Sequence, residues 1–191
     1  MNTKGNRKGK VVVISGPSGV GKSTICREIV KKLDNVCLSV SATTRPRAEN
    51  EADGKDYHFL TKSEFKEKID AGQFLEYAEV FGNFYGTPKD KVRQNLKAGK
   101  TVILEIDVQG GAQIKTAFPD AVMIFIMPPD HGELAKRMGL RAREEPQTAE
   151  KRLKKAGSEI AAANRCYDYK VVNDNLQDTV NEVIKIISTA E

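Results

Sequence analysis

Residues 11–33, VVVISGPSGVGKSTICREIVKKL, decide the fold of this chain. The uninterrupted apolar run at 11–14 predicts a buried parallel strand, and apolar residues recur with helical spacing from 25 to 33. Between the strand and the helix lies the motif G-x-x-x-x-G-K-S. Its members, with the residue that follows them, are Gly16, Pro17, Ser18, Gly19, Val20, Gly21, Lys22, Ser23 and Thr24.

This glycine loop predicts a phosphate-binding site. Glycines allow consecutive backbone N–H groups to converge on an anion, and the following helix adds the partial positive charge of its N-terminus. We expect the Lys22 ammonium to reach the outer phosphates and the Ser23 hydroxyl to bind Mg²⁺ directly. The flanking strand and helix disfavour an ordinary glycine turn, so the loop predicts a nucleoside triphosphate with its metal.

The charge balance argues against nucleic acid as the partner. The 191 residues carry 31 basic and 26 acidic side chains, but Lys4, Arg7, Lys8 and Lys10 lie in the first ten residues. The remainder is nearly neutral, so a positive field must be local to a site for anions. We expect a cytoplasmic protein with no membrane partner, because no apolar run is long enough for a signal peptide or a membrane span. The sequence predicts no oligomeric state.

The cysteines and histidines do not indicate a metal site. Cys26, Cys37 and Cys166 lack C-x-x-C spacing, and we expect all three to be reduced and buried. His58 and His131 are isolated from one another and from any ligand set. The chemistry of this chain must therefore depend on its loop and on its charged and hydroxyl side chains.

Further apolar runs alternate with helical patterns after the first helix. This alternation predicts an α/β fold in which a parallel sheet carries helices on both faces, and ligands then gather at the carboxyl ends of the strands. The predicted strands are 36–40, 101–106, 121–127 and 169–172, and the predicted helices are 89–97, 109–118 and 176–187.

Two stretches interrupt the alternation. Residues 41–88 are rich in turn formers and aromatics and predict a small inserted subdomain, with extended segments at 57–60, 75–80 and 83–85 and a helix at 63–71. Residues 128–157 are dense in charge and predict a helical lid. The resulting organisation is a disordered basic tail at 1–10, a nucleotide-binding core at 11–40, 89–127 and 158–191, the insert at 41–88 and the lid at 128–157.

The insert combines groups that suit a phosphate monoester with carboxylates that do not. Arginine forks and hydroxyls bind phosphate, whereas the carboxylates fit the adjacent N1–H and N2–H₂ donors of guanine. Solvated surface charges are the alternative interpretation of Glu76 and Arg45. The phosphate-binding types are Ser41, Thr44, Arg45, Arg47, Tyr57, Tyr85 and Thr87, and the carboxylates are Glu51, Glu76 and Asp107.

Five ordered motifs resemble those of the guanylate kinase family. The resemblance covers about residues 11–187 and is far more specific than the glycine loop alone. The motifs are SVSATTRPR at 39–47, DGKDYHF at 53–59, FLEYA at 74–78, GNFYGT at 82–87 and IDVQG at 106–110.

The resemblance implies a P-loop kinase that uses ATP and Mg²⁺ to convert GMP to GDP, with dGMP as a second acceptor. Transfer would be direct and in line, with no protein nucleophile and no general base, because the acceptor phosphate is already anionic. The implied GMP site comprises Ser41, Arg45, Arg47, Glu51, Tyr57, Glu76, Tyr85, Thr87 and Asp107. The implied catalytic residues are Lys22, Arg137, Arg141 and Arg152, with Asn173 near the adenine and Glu105 near the metal through water.

The chain departs from the family pattern in three places. Arg47 follows Arg45 by two residues, where the family usually has three, so it would reach the phosphate from a shifted backbone position. Glu105 stands where an aspartate is commoner and lengthens the arm. The lid sequence at 142–146 is altered as well, which affects its hinge.

Two other functions remain open from the sequence. A P-loop kinase for a phosphorylated sugar would use the arginines but would not need Glu76, Thr87 and Asp107. A noncatalytic guanylate-kinase-like module that binds proteins would typically lack the loop lysine and the lid arginines, which this chain retains.

Overall fold

The computed structural model describes residues 8–130, 132–134, 136 and 146–190, and at 146–153 it describes the helical backbone alone. The strands are β1 Lys10–Ser15, β2 Val36–Leu38, β3 Ala42–Thr43, β4 His58–Phe59, β5 Phe74–Val80, β6 Asn83–Pro88, β7 Thr101–Glu105, β8 Val122–Met127 and β9 Tyr169–Val172. The helices are α1 Lys22–Lys32, α2 Lys62–Asp70, α3 Lys89–Lys97, α4 Val108–Ala117, α5 Pro146–Cys166 and α6 Leu176–Thr189.

A five-stranded parallel sheet forms the centre, in the order β2-β7-β1-β8-β9. Successive side chains of β1 alternate between its faces, so Val12 and Ile14 pack into one core cluster and Val11 and Val13 into another. Helices α1 and α6 cover the first cluster, and α3, α4 and α5 cover the second. The predicted α/β fold with helices on both faces is confirmed.

A second sheet of four short strands lies within residues 42–88, in the order β4-β3-β6-β5. Its small core is aromatic, because Phe65 of α2 stacks on Phe74 at 4.5 Å and on Phe84 at 5.5 Å between ring centroids. A capping box between Thr61 and Glu64 fixes the start of α2. The second sheet lies entirely within the range that we assign to the insert.

Some boundaries differ from those expected. Lys10, which we assign to the tail, opens β1, and its ammonium donates to the backbone carbonyls of Ile187 and Ala190 near the end of α6. Helix α5 continues from 146 to 166 through the lid boundary that we predict at 157, because dense charge does not end a helix and Gly157 is tolerated within one.

The cysteines are free, but they do not share one environment. Cys26 is buried, Cys37 is half-buried and Cys166 is exposed at the end of α5, so the expectation that all three are buried is wrong for Cys166. Within the described residues, no helix has the length and apolar character needed to cross a membrane.

Candidate active site

The glycine loop curls around the N-terminus of α1. Gly16, Gly19 and Gly21 have φ values of 152°, 84° and 101°, a region that favours glycine, and Gly21 directly precedes the helix. Lys22 Nζ donates to the carbonyls of Gly16 at 2.5 Å and Pro17 at 3.0 Å. The lysine is thereby folded back over the loop, at the place where outer phosphates would lie.

Burial dominates the electrostatics of this lysine. Desolvation lowers the pKa of Lys22, and the carboxylates of Glu105 and Glu159 oppose that effect. A phosphate anion in the loop would stabilise the charged form of this ammonium further. The buried lysine is therefore suited to binding an anion.

Ser23 and Glu105 bring two oxygen atoms together beside the loop. The Ser23 hydroxyl donates to Glu105 Oε1 at 2.6 Å. Hydroxyl and carboxylate oxygens are ligands that Mg²⁺ accepts, and Mg²⁺ usually keeps several waters and binds substrate phosphates. The described residues contain no cluster of three or more His, Cys, Asp or Glu side chains placed to hold a metal. These two donors therefore fit an ion held mainly by a nucleotide and water.

The loop and part of the predicted acceptor set line one open cleft of about 310 Å³, whose lining does not include Arg45, Arg47, Glu51 or Thr87. The strand order brings them together, because the loop follows β1 and Asp107 follows its neighbour β7 at the same edge of the sheet. From the loop and α1 the lining includes Gly16, Ser18, Gly19, Gly21, Lys22, Ser23 and Thr24, and from the predicted acceptor set and β7 it includes Ser41, Tyr57, Glu76, Tyr85, Glu105 and Asp107.

Glu76 is a buried carboxylate at the acceptor end of the cleft. It is 4% exposed, and Thr87 Oγ1 donates to its Oε1 at 2.6 Å. Burial raises the pKa of Glu76 to about 7, although the Thr87 bond opposes the shift. The carboxylate lies against Gly110 of α4, where a β-carbon would stand 2.3 Å from Oε2. Such a fixed pair of oxygens is suited to adjacent N–H donors.

Asp107 lies next to Glu76 and caps α4. Its Oδ1 accepts from the backbone N–H groups of Gln109 at 3.1 Å and Gly110 at 3.0 Å. Its Oδ2 accepts a weaker bond from the Gln109 side chain at 3.3 Å. Oδ1 therefore caps the helix, whereas Oδ2 accepts the weaker side-chain hydrogen bond.

Arg45 is held by a carboxylate of its own loop. Its two terminal nitrogens donate to the two oxygens of Glu51 at 2.6 and 3.0 Å, which raises the pKa of Arg45 and lowers that of Glu51. The guanidinium also lies 5.5 Å from the ring centroid of Tyr57, whose pKa burial raises to about 12. The rings of Tyr57 and Tyr85 meet edge to face at 6.1 Å. Glu51 contacts Arg45 and the Ala48 N–H, so it orients the arginine.

The remaining predicted residues divide into three groups. Asn173 is buried, and its amide donates to the Val20 carbonyl of the loop at 2.7 Å, so it supports the loop from β9. Arg47 is exposed and does not line the cleft. Arg137 and Arg141 lie outside the described residues, as does the side chain of Arg152. The role of each of these residues stays a prediction.

Among the aromatic and charged residues that line the cleft, sequence reasoning missed three, Phe81, Lys155 and Glu159. Phe81 is in the turn between β5 and β6, whereas Lys155 and Glu159 lie one turn apart in α5. Charges spaced four apart on a helix are typical of a solvated face, so their spacing gives no sign of a cleft. The one available signal was sequence position: Lys155 lies in the stretch assigned to the lid, and Glu159 lies just beyond the boundary predicted at 157.

Comparisons with known proteins agree on one family. A family model described as guanylate kinase matches residues 8–190. The guanylate kinase of Clostridium perfringens strain SM101 is 50% identical over 182 residues, which are 95% of this chain and 84% of that protein. The guanylate kinase of Prochlorococcus marinus strain MIT 9312 is 44% identical over 180 residues, covering 94% and 97%. The crystal structure of guanylate kinase from Anaplasma phagocytophilum superimposes with a TM-score of 0.81 at 35% identity, covering 96% of this chain and 86% of that one.

Proposed function

The chain belongs to the guanylate kinase family of kinases, and from this membership and the cleft we propose that it transfers the γ-phosphoryl group of ATP to GMP. The observation that carries the proposal is that a P-loop lysine and a buried, hydrogen-bonded carboxylate, Lys22 and Glu76, line the same cleft of about 310 Å³. The first suits a triphosphate and the second suits a base that presents donors.

We infer a mechanism based on positioning and electrostatics. The acceptor phosphate is anionic at neutral pH, so no side chain has to remove a proton from it. Lys22 and the loop N–H groups would hold the donor phosphates, and Arg45, with Tyr57 and Tyr85, would hold the acceptor phosphate in line. The lid arginines Arg137, Arg141 and Arg152 complete the catalytic set in this proposal, and Arg47 remains a candidate second phosphate ligand.

Mg²⁺ belongs to the proposal as the partner of ATP. Ser23 would bind it directly, and Glu105 would bind it through water. When bound, the ion neutralises charge on the phosphate oxygens. The Ser23–Glu105 hydrogen bond of 2.6 Å supports this assignment, because it holds both oxygens at the mouth of the loop.

Base recognition would depend on Glu76 and Asp107, with Thr87 fixing the first and Ser41 nearby. A site built to accept two adjacent donors leaves buried oxygens unpaired when adenine enters, and such sites reject the wrong ligand by several powers of ten. Because the sugar 2′-hydroxyl has no part in this recognition, dGMP is the second proposed acceptor. The two other functions that the sequence leaves open are not favoured, since the relatives that match are named guanylate kinase.

We place the reaction in the cytoplasm and assign it to purine nucleotide metabolism. The support for the compartment is that Cys26, Cys37 and Cys166 are all free, as expected where thiols are kept reduced.

A coupled assay of ADP release tests the proposal. Purified protein with ATP and Mg²⁺ should turn over with GMP and dGMP, and AMP, UMP and ribose 5-phosphate should be at least about a thousandfold poorer by kcat/KM. Equal rates with AMP would refute the guanine assignment. Turnover of ribose 5-phosphate alone would instead identify a sugar-phosphate kinase, and absence of ADP release with every acceptor would refute the activity.

A further inference from the structure

The acceptor end of the cleft contains an ammonium group that the proposed mechanism does not use. Lys155 of α5 lines the cleft together with Glu76 and Asp107. Its Nζ lies 3.7 Å from Asp107 Oδ2 and 3.7 Å from Glu159 Oε1. The side chains of Lys155, Asp107 and Glu159 are 25%, 18% and 9% exposed, so the three charges are largely shielded from water.

Carboxylates outnumber ammonium groups in the lining of the cleft, and this lysine is one of the few cations there. Among the described residues that line it, four carry carboxylates and two carry ammonium groups. Lys22 is bound to the carbonyls of Gly16 and Pro17 in the loop, which leaves Lys155 as the cation in contact with Asp107. The carboxylates are those of Glu76, Glu105, Asp107 and Glu159.

Lys155 also touches the insert through an aromatic ring. Its Nζ lies 5.1 Å from the ring centroid of Phe81, which is 50% exposed in the turn between β5 and β6. Phe81 has a φ of 51°, an uncommon conformation for a bulky residue. The Phe81 ring therefore faces a cation of α5 from a backbone conformation that is strained for a phenylalanine.

We propose that Lys155 is a positioning residue for the acceptor base: by pairing with Asp107 and Glu159 and lying against Phe81, it holds the Asp107 carboxylate in place in the cleft to accept from guanine. The inference rests on the proposed function and adds to it a residue that sets base recognition. Asp107 Oδ1 is fixed by the helix N-terminus, so Lys155 acts on Oδ2, the oxygen whose other hydrogen bond is the weaker one from the Gln109 side chain.

Lys155 bridges two carboxylates of the cleft. Removing its ammonium would leave Asp107 and Glu159 without the cation that lies 3.7 Å from each of them, and their mutual repulsion would then displace the Asp107 carboxylate.

The test compares Lys155→Met, which removes the charge and keeps the length, with Lys155→Arg, which keeps the charge. Lys154→Met is the matched control, because Lys154 is the exposed neighbour in the same helix. In Lys155→Met we expect the KM for GMP to rise about fivefold or more, the scale of a partly buried ion pair, with the KM for ATP unchanged.

Base specificity gives a readout that a merely structural role would not change. IMP lacks the exocyclic amino group, so the ratio of kcat/KM for GMP to that for IMP reports the carboxylates. This ratio should fall in Lys155→Met and return in Lys155→Arg. Calorimetric titration of GMP without ATP should show the same weakening, independently of turnover.

Two results would overturn the inference. One is a folded Lys155→Met variant with the wild-type KM for GMP and the wild-type GMP-to-IMP ratio. The other is an equal loss in Lys155→Met and Lys155→Arg with an equal fall in Tm, which would identify a packing role. Both results presuppose that the wild-type protein phosphorylates GMP. Inactivity of the wild type would refute the proposed function itself, and this result is different from either of the two results that would overturn the role of Lys155.

Discussion

The contact between Gly110 and Glu76 allows the carboxylate that we propose to bind the base to be displaced without changing its chemistry. In Gly110→Ala, the new β-carbon would stand 2.3 Å from Glu76 Oε2 and 3.0 Å from its carboxyl carbon. Carbon atoms essentially never approach closer than 3.0 Å, so the carboxylate must move by about 0.7 Å or more. It cannot swing freely, because it is buried and bound to Thr87 at 2.6 Å.

The expected cost is that of one misplaced charge-assisted hydrogen bond to the base. Such a bond is worth about 1.5–3 kcal/mol, which corresponds to a decrease of roughly 10- to 150-fold in kcat/KM for GMP. The change should appear mainly in the KM for GMP and in a lower GMP-to-IMP ratio, while the KM for ATP stays within about twofold. Steady-state kinetics with each substrate varied in turn measures all three.

Gly157→Ala is the matched control for this variant. Gly157 also lies in a helix, but nothing stands within 4 Å of the position of its β-carbon. Its activity should be that of the wild type, and its stability should rise by about 0.5–1 kcal/mol from helix propensity. If a folded Gly110→Ala variant kept the wild-type KM and GMP-to-IMP ratio, the assignment of Glu76 to the base would be wrong.

Three further predictions concern the buried carboxylate, the loop lysine and the metal. Because folding raises the pKa of Glu76 from 4.5 to about 7, the folded state holds a proton that the unfolded state releases between these values. The free energy of unfolding should therefore fall as the pH rises through this window, and urea titrations at pH 5 and pH 7 should show a fall of about 2 kcal/mol in the wild type but not in Glu76→Gln. Lys22→Met should lower kcat about a thousandfold. The control is Lys31→Met, which lies on the exposed side of α1 beside Glu28 and should keep the wild-type kcat. Similar kcat values for the two variants would show that Lys22 has no part in the mechanism. Ser23→Ala should raise the Mg²⁺ concentration needed for half-maximal rate by about tenfold, and an unchanged Mg²⁺ titration would contradict direct binding by Ser23.

The core of the fold was predictable because its strands are long and apolar enough to determine their own position. Strand β9 and helix α3 begin and end at the expected residues, and β1 extends the expected run by one residue at each end. Strand β3 was not predicted, since two residues are too few to show an alternating pattern, and its position is set by pairing with β4 and β6. Pairing of this kind depends on several strands together, so the sequence of one segment does not predict it.

The candidate site was predictable where an ordered motif resembles that of a known family. Glu76 alone fits a solvated surface charge and is assigned to the site through the FLEYA motif at 74–78, and the structure places it in the cleft that the loop also lines. Lys155 was not conspicuous, because lysines on a charged helix are ordinary and only the packing of α5 near α4 puts this one beside Asp107.

The bidentate pair of Arg45 and Glu51 has a consequence for turnover. The guanidinium already holds the Glu51 carboxylate, so under the role proposed for Arg45 an arriving phosphate would replace one negative partner by another and would gain less binding energy than from an unpaired cation. Glu51 would pair with the arginine again when the product leaves. Moderate affinity would suit a kinase whose substrate and product differ by one phosphoryl group, since tight retention of either would slow each cycle.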